Sequence, residues 1–495
     1  MGTTLLTRQD ILPLDTRGVE EALCSSPPLV VDLDGTLVKT DLLVESLLAL
    51  LKQDILALFL VPWWLLRGRA YLKRQVSRRV SLNVRVLPYN HELLAYLRAE
   101  RVRGRRLILA TAADERIARQ VNAHLQLFDH VLASDGSINL LGRRKRDRLI
   151  AEFGERNFDY AGNARCDMPV WSSARTAILV DASPWVSRLA AGVTGVERVF
   201  HGERHCLKSY LRALRLTHWL KNLLVFVPLV LAHRFVDPVL IGKACLAFLA
   251  FGLCASSVYL MNDLADLTSD RLHPRKKHRP FAAGDLSLLS GLASIPVLLV
   301  ISGLVSRFLP GIFLWMLALY VVLNVAYSLC LKRIALLDVI VLAGLYTMRL
   351  MAGSAAVGIW PSSWLLAFST FLFLSLALVK RYDELVTMNA EPGKNVEVRG
   401  YLVGDKALLA AMGCGSGYVA VLILAMYISS GVAEIHYTRQ HLFWLICPLL
   451  LYWISYIWLT AHRNKMPDDP LMFTLTDRVS RVVFLLAVLI LTIAI

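Results

Sequence analysis

Residues 262–284 read NDLADLTSDRLHPRKKHRPFAAG, and they follow directly on a long apolar run. Asp263, Asp266 and Asp270 recur at spacings of three and four, so a continuing helix stacks them on one face. Three neighbouring carboxylates repel one another unless a cation sits among them. Hard oxygen ligands suit Mg²⁺, which keeps several waters and bridges to a substrate's phosphates. His273, Lys276, Lys277 and Arg279 follow at once and offer donors to phosphate oxygens that a metal leaves uncovered. The bland alternative is a helix cap followed by a solvated, charged loop.

Outward from this stretch the chain divides by composition. It has 495 residues, 56% hydrophobic and 19% charged, against the roughly 25% charge of a soluble domain. Up to about residue 215 it is a charged mixture, and beyond that it is a series of apolar runs. Nine runs approach the roughly 20 residues needed to cross a bilayer: about 222–237, 240–262, 288–307, 311–330, 335–357, 362–380, 407–430, 441–460 and 479–495. Loops after the second, fourth, sixth and eighth runs are rich in Lys and Arg, whereas those after the third and fifth carry almost no charge. That alternation sets one side as cytoplasmic. The basic stretch before the first run falls on it, so the N-terminal half is expected in the cytoplasm. The net charge of +16 then belongs to loops and not to nucleic-acid binding. Eight scattered cysteines without a CxxC pair exclude a disulfide scaffold and a zinc site. The start, MGTTLLTRQDILPLD, lacks the apolar core of a secretion signal.

The N-terminal half has its own pattern. PPLVVDLDGT is a short apolar run delivering Asp32 and Asp34 to a loop, as a buried parallel strand does. One carboxylate is placed to attack phosphorus while the other moves a proton. A second strand carries Thr111, a basic helix opens around Lys145, and a further strand leads to Gly162, Asn163 and Asp167. Between the first two stations lies an insert of about 70 residues. It contains ILALFLVPWWLLRGRAYLKR, whose two Trp beside Arg67, Arg69 and Lys73 suit either a helix at a membrane interface or a cap helix packed on its own domain.

The first stretch resembles the opening signature of the UbiA superfamily of intramembrane prenyltransferases, which have nine transmembrane helices. The resemblance covers about residues 210–495. It implies that Asp263, Asp266 and Asp270 bind a diphosphate through Mg²⁺, supported by Asn262, Lys276 and Arg279. YSLCLKRIALLDVIVLAGLYTMRLMAG looks like a second family segment and offers Tyr327, Lys332, Asp338 and Arg349. Where members acting on aromatic acceptors carry a second acidic cluster, this chain has Lys380, Arg381, Asp383 and Glu384. The basic pair suggests direct contact with phosphate. The combination is similar to the branch that joins phosphoribosyl pyrophosphate to a polyprenyl phosphate.

The four stations of the N-terminal half resemble the haloacid-dehalogenase (HAD) phosphatase superfamily over about residues 25–200. By that resemblance Asp32 is the nucleophile, Asp34 the general acid/base, and Thr111 and Lys145 the phosphate binders. Asp32, Asp34, Asn163 and Asp167 would hold Mg²⁺. Asn163 departs from the family's usual Asp and contributes no charge, which puts turnover in doubt.

The expected architecture is therefore an α/β HAD-like domain, residues 1–205 with a helical cap at about 40–105, followed by a nine-helix transmembrane bundle over 206–495. The expected activity is Mg²⁺-dependent transfer of 5-phosphoribose to a polyprenyl phosphate at the inner (plasma) membrane, with the HAD domain removing the 5-phosphate. The alternative is a prenyltransferase using a prenyl diphosphate and an aromatic acceptor, fused to a non-catalytic HAD domain.

Overall fold

The computed structural model describes residues 26–54, 56–202, 206–388, 399–430, 439–466 and 469–494. The N-terminal lead and Cys24 lie outside them.

The N-terminal half is built on six parallel strands: β1 Leu29–Val31, β2 Leu107–Asp114, β3 His130–Ser134, β4 Asp159–Gly162, β5 Thr176–Val180 and β6 Gly195–Phe200. Their order is β3-β2-β1-β4-β5-β6. β1 and β2 are fully buried because helices cover both faces, which is why their sequence reads as continuous apolar runs and not as alternation. Alternate residues feed two cores. Leu29, Val31, Leu107 and Leu109 join one, while Val30, Ile108, Ala110 and Tyr160 join the other. Asp32 follows the carboxyl end of central β1, the end at which open parallel sheets place their ligands.

The insert between β1 and β2 is helical, with Leu42–Gln53, Val61–Leu66, Arg69–Arg79 and His91–Val102. Asp41 and Asn90 start the first and last of these by accepting hydrogen bonds from amides of the first turn. The WW segment leaves Leu56, Phe59, Trp63 and Leu66 exposed while Trp64 is buried.

Beyond residue 213, seven described helices are long and apolar enough to cross a membrane: Pro238–Ala265, Leu288–Ser306, Gly311–Leu329, Leu337–Val357, Ser363–Thr387, Val403–Ser429 and His441–His462. The broken pair Leu207–Ala213 and Leu216–Leu231 makes an eighth if taken as one span. The break falls at Arg215, whose backbone is left-handed. The ninth expected run is a helix of 17 residues, Arg478–Ala494, at the lower limit for spanning. The count of nine is thus replaced by seven clear spans, one broken span and one short helix. Trp219 donates its indole N–H to Ser256 Oγ at 2.9 Å.

By internal packing the chain forms two compact units, Met1–Ala213 with Asp263–Leu292, and Leu214–Asn262 with Ala293–Ile495. The carboxylate motif therefore groups with the N-terminal domain, which a boundary drawn at a single point along the chain does not express.

Candidate active sites

Lys145 is the third residue of helix Arg143–Phe153, and its ammonium reaches the end of β1. It lies 2.8 Å from Asp32 Oδ1, 2.9 Å from the Tyr160 hydroxyl and 3.9 Å from Asp167 Oδ1. Burial works against its charge but is outweighed by Asp32 and then Asp167, so its pKa is raised. Burial pushes the Asp32 carboxyl up to about 6, against the pull of Lys145. Asp34 is pushed up to about 7 by burial and by Asp41, and its Oδ1 accepts from the Leu42 amide at 2.9 Å. Thr111 is fully buried in β2 and accepts from the Ala113 amide. Asp167 Oδ2 accepts from the amides of Asn163 and Ala164 at 3.2 and 3.1 Å, which draws the Asn163 turn over Gly35. Asp32, Asp34, Lys145 and Asn163 thus line one cavity, with Asp167 beside Lys145, whereas Thr111 is not among the lining residues. Lys73 was read only as part of a basic flank, yet it lines the same cavity and bonds the Ala112 carbonyl at 2.6 Å.

The carboxylate motif does not form one continuous face. Helix Pro238–Ala265 stops at Ala265, Asp266 leaves helical geometry, and a new helix runs over Leu267–Leu272. Asp263 Oδ1 and Asp270 Oδ2 meet on Arg279 Nη1, at 3.1 and 2.6 Å. Asp266 lies 3.4 Å from Lys52 Nζ instead. Asp270 is buried and its pKa is raised by that burial, although Arg279 opposes it. Lys276 opens a short turn beside His273, with its amide 3.4 Å from His273 Nδ1.

In the second unit Arg381 is held by three protein partners. Its Nε pairs with Asp338, its Nη1 with Glu384 Oε2 at 2.6 Å and its Nη2 with the Tyr327 hydroxyl at 2.6 Å. Tyr401 donates to the other oxygen of Asp338 at 2.5 Å. With its donors engaged and its side chain buried, Arg381 is a brace between helices. Lys332 sits half-buried in the turn Leu331–Arg333, and Asn262 Oδ1 accepts from Ser328 at 2.5 Å.

Arg349 is buried in its span and donates to Asn222 Oδ1 (3.1 Å), the Leu345 carbonyl (2.6 Å) and the Tyr320 hydroxyl (3.0 Å). The rings of Phe251, Tyr320 and Tyr346 surround it. Lys221 pairs with Asp469. Burial raises the Asp469 carboxyl but is outweighed by Lys221 and Lys380, which hold it at about 2. Lys380 thus belongs to the surroundings of Asp469, with His218 as a further neighbour. Sequence reasoning missed Lys221, Asn222 and Asp469. The first two follow HW in a basic stretch, and Asp469 lies 248 residues from Lys221, so no local spacing links them.

A model of the UbiA prenyltransferase family matches residues 223–489, more than half of the chain. The chain belongs to the UbiA prenyltransferase family. Within it, an uncharacterized protein from Sinorhizobium fredii is 37% identical over 456 residues, covering 92% of this chain and 88% of that protein. A decaprenyl-phosphate phosphoribosyltransferase from Mycolicibacterium smegmatis is 34% identical over 188 residues, covering 37% of this chain and 58% of that protein. Among solved structures, a UbiA homologue from Archaeoglobus fulgidus bound to GPP and Mg²⁺ covers 57% of this chain and 99% of its own, with 16% identity and a TM-score of 0.42. A HAD family hydrolase from Salmonella enterica covers 40% of this chain and 81% of its own, with 15% identity and a TM-score of 0.27. This UbiA member is an integral membrane protein with an added N-terminal α/β domain on a six-stranded parallel sheet.

Both carboxylate groups offer oxygen donors of the kind a hard divalent cation takes. Among the described residues, no three His, Cys, Asp or Glu side chains already converge as a metal cage. At β1 two buried carboxyls with raised pKa values fit a divalent cation, with Asn163 as a neutral oxygen donor, whereas Asp167 is engaged by Tyr160 and two amides. In the motif, Asp263 and Asp270 fit, with Arg279 supplying positive charge between them.

Proposed function

We propose that this UbiA-family transferase moves 5-phosphoribose from phosphoribosyl pyrophosphate to a polyprenyl phosphate, releasing diphosphate, and that its HAD-like domain then removes the 5-phosphate. The similarity to decaprenyl-phosphate phosphoribosyltransferase carries the first half. Asp263 and Asp270 would hold Mg²⁺, which when bound neutralises the departing diphosphate, and Asp266 would join them only by leaving Lys52. Arg279, bound to two of these carboxylates, and Lys276 give donors to diphosphate oxygens. Lys380, Lys221 and Arg349 supply cations for the acceptor phosphate and the 5-phosphate.

The convergence of Asp32, Asp34 and Lys145 in one cavity supports the second half. The Asp32 carboxylate attacks phosphorus and forms an aspartyl-phosphate as the bond from phosphorus to the C5 oxygen breaks. Asp34, protonated near neutrality, gives its proton to that oxygen. Water then attacks the aspartyl-phosphate, and Asp34 takes the proton back. Lys145 holds Asp32 in place and attracts the incoming phosphate. The loop charges support an inner-membrane protein with this domain in the cytoplasm.

The test supplies purified protein with Mg²⁺, labelled phosphoribosyl pyrophosphate and a polyprenyl phosphate, beside Asp263→Asn and Asp32→Asn variants. Label enters the lipid phase, is lost with Asp263→Asn, and keeps its 5-phosphate only with Asp32→Asn. Consumption of a prenyl diphosphate with no labelled lipid would overturn the proposal and favour an aromatic acceptor.

A further inference from the structure

Asp32, Asp34, Lys73 and Lys145 lie at the polar end of a cavity of about 750 Å³. Its remaining wall is largely apolar, and part of that wall comes from residues 284–290, directly after the carboxylate motif. We propose that this segment is the substrate-selecting wall of the phosphatase pocket, making the domain prefer a sugar phosphate carried on an apolar chain over a free one. The proposal rests on the phosphatase reading above.

Two features hold the segment where it is. Glu45 and Arg271 form a buried, two-pronged ion pair, Oε1 to Nη1 at 2.5 Å and Oε2 to Nη2 at 3.1 Å. Thr40 also donates to Glu45, and Arg271 Nε donates to the Ala282 carbonyl at 3.0 Å, so the pair reaches from the end of the Asp34 loop to the start of the wall. Gly284 then passes so close to Lys39 that a Cβ would collide with its side chain and touch Pro88, and its φ of +77° already disfavours any other residue. Beyond this point Leu286 and Leu288 anchor the segment in the protein, while Leu289 lines the cavity and remains more than half exposed. Leu43, Leu65 and Leu72 complete the apolar lining.

A phosphate needs the polar end alone, so this lining has no use for ribose 5-phosphate. An attached isoprenyl chain gains roughly fourfold in affinity for each methylene it buries. Arg271 thereby acts as a positioning residue, through the wall and not on the reacting atoms.

The experiment uses the full chain in nanodiscs and follows phosphate release from ribose 5-phosphate with and without a farnesylphosphoryl group at C1. Wild type is expected to favour the farnesylated substrate about a hundredfold in kcat/KM. Leu289→Asp and Arg271→Met each lose at least tenfold of that preference, through KM and not kcat, and Leu289→Met restores it. An unchanged preference in Leu289→Asp, or none in wild type, overturns the wall while leaving the phosphatase in place. Release from neither substrate overturns the phosphatase reading itself, and this assignment with it.

Discussion

Lys145 and Arg381 are both buried cations held by carboxylates, one at the end of a sheet and the other between spans. Lys145 has two carboxylates, Asp32 and Asp167, and opens onto a cavity. Arg381 has Asp338, Glu384 and Tyr327 and no cavity of its own among those described. A buried charge facing a cavity is placed to meet a ligand. One held by several protein partners costs much to break and ties the elements that carry those partners. Charge, burial and partner count are alike in the two, each held by two carboxylates and a tyrosine hydroxyl; what sets Lys145 apart is its place in the lining of a cavity.

Substitutions sharpen or break this contrast. Asp34→Asn, on the cavity side, is expected to slow phosphate release by about 10²–10⁴, with little change in melting temperature. Equal loss of fold and activity would erase the distinction. Arg381→Met leaves the fully buried Asp338 without a counter-ion and with only the Tyr401 hydroxyl, at a cost of about 3–5 kcal/mol, read as early melting in detergent. Lys145→Met should abolish phosphate release yet melt closer to wild type, because Asp32 already tends to take up a proton. A Lys145→Met protein that melts as early as Arg381→Met would break the comparison.

Asp469 gives a pH test of the same idea. Its folded pKa is depressed from 3.8 to about 2. Its contribution of about 2 kcal/mol is therefore fully present above pH 4 and is lost as pH falls toward 2. Asp469→Asn should lower the melting point at pH 7 and converge with wild type only below about pH 2. A constant gap would show that Lys221 does not gain from the charge. The smallest effect is expected at Trp63, which is more than half exposed. Trp63→Cys should shift stability by no more than about 0.5 kcal/mol. A fluorophore there should emit in nanodiscs as in an interfacial environment; emission as in water would assign the helix to its own domain.

Much of both sites was legible because their chemistry is local. Asp32 and Asp34 share one loop after one strand, and burial on both faces writes that strand as an unbroken apolar run. Asp263, Asp266 and Asp270 share one stretch under one span. Their spacing marks a phosphate site, yet it does not reveal that Asp266 interrupts the helix, so Asp263 meets Asp270 through Arg279 while Asp266 turns to Lys52. Arg381 illustrates the opposite limit. A basic pair in sequence looks ready for phosphate, and only the fold shows that its arginine is held by partners from residues 327 and 338.

The sequence by itself determined the two-part plan, the apolar spans and the acidic motifs, because hydropathy and short-range spacing are properties of neighbouring residues. Tertiary structure alone decided which charges pair and which face a cavity. It paired Lys221 with Asp469, Glu45 with Arg271, and brought residues 284–290 to the cavity that Asp32 and Lys145 line. These partners lie far apart along the chain. In a buried setting a charge must find its counter-ion wherever the fold brings one, so no local pattern encodes the pairing.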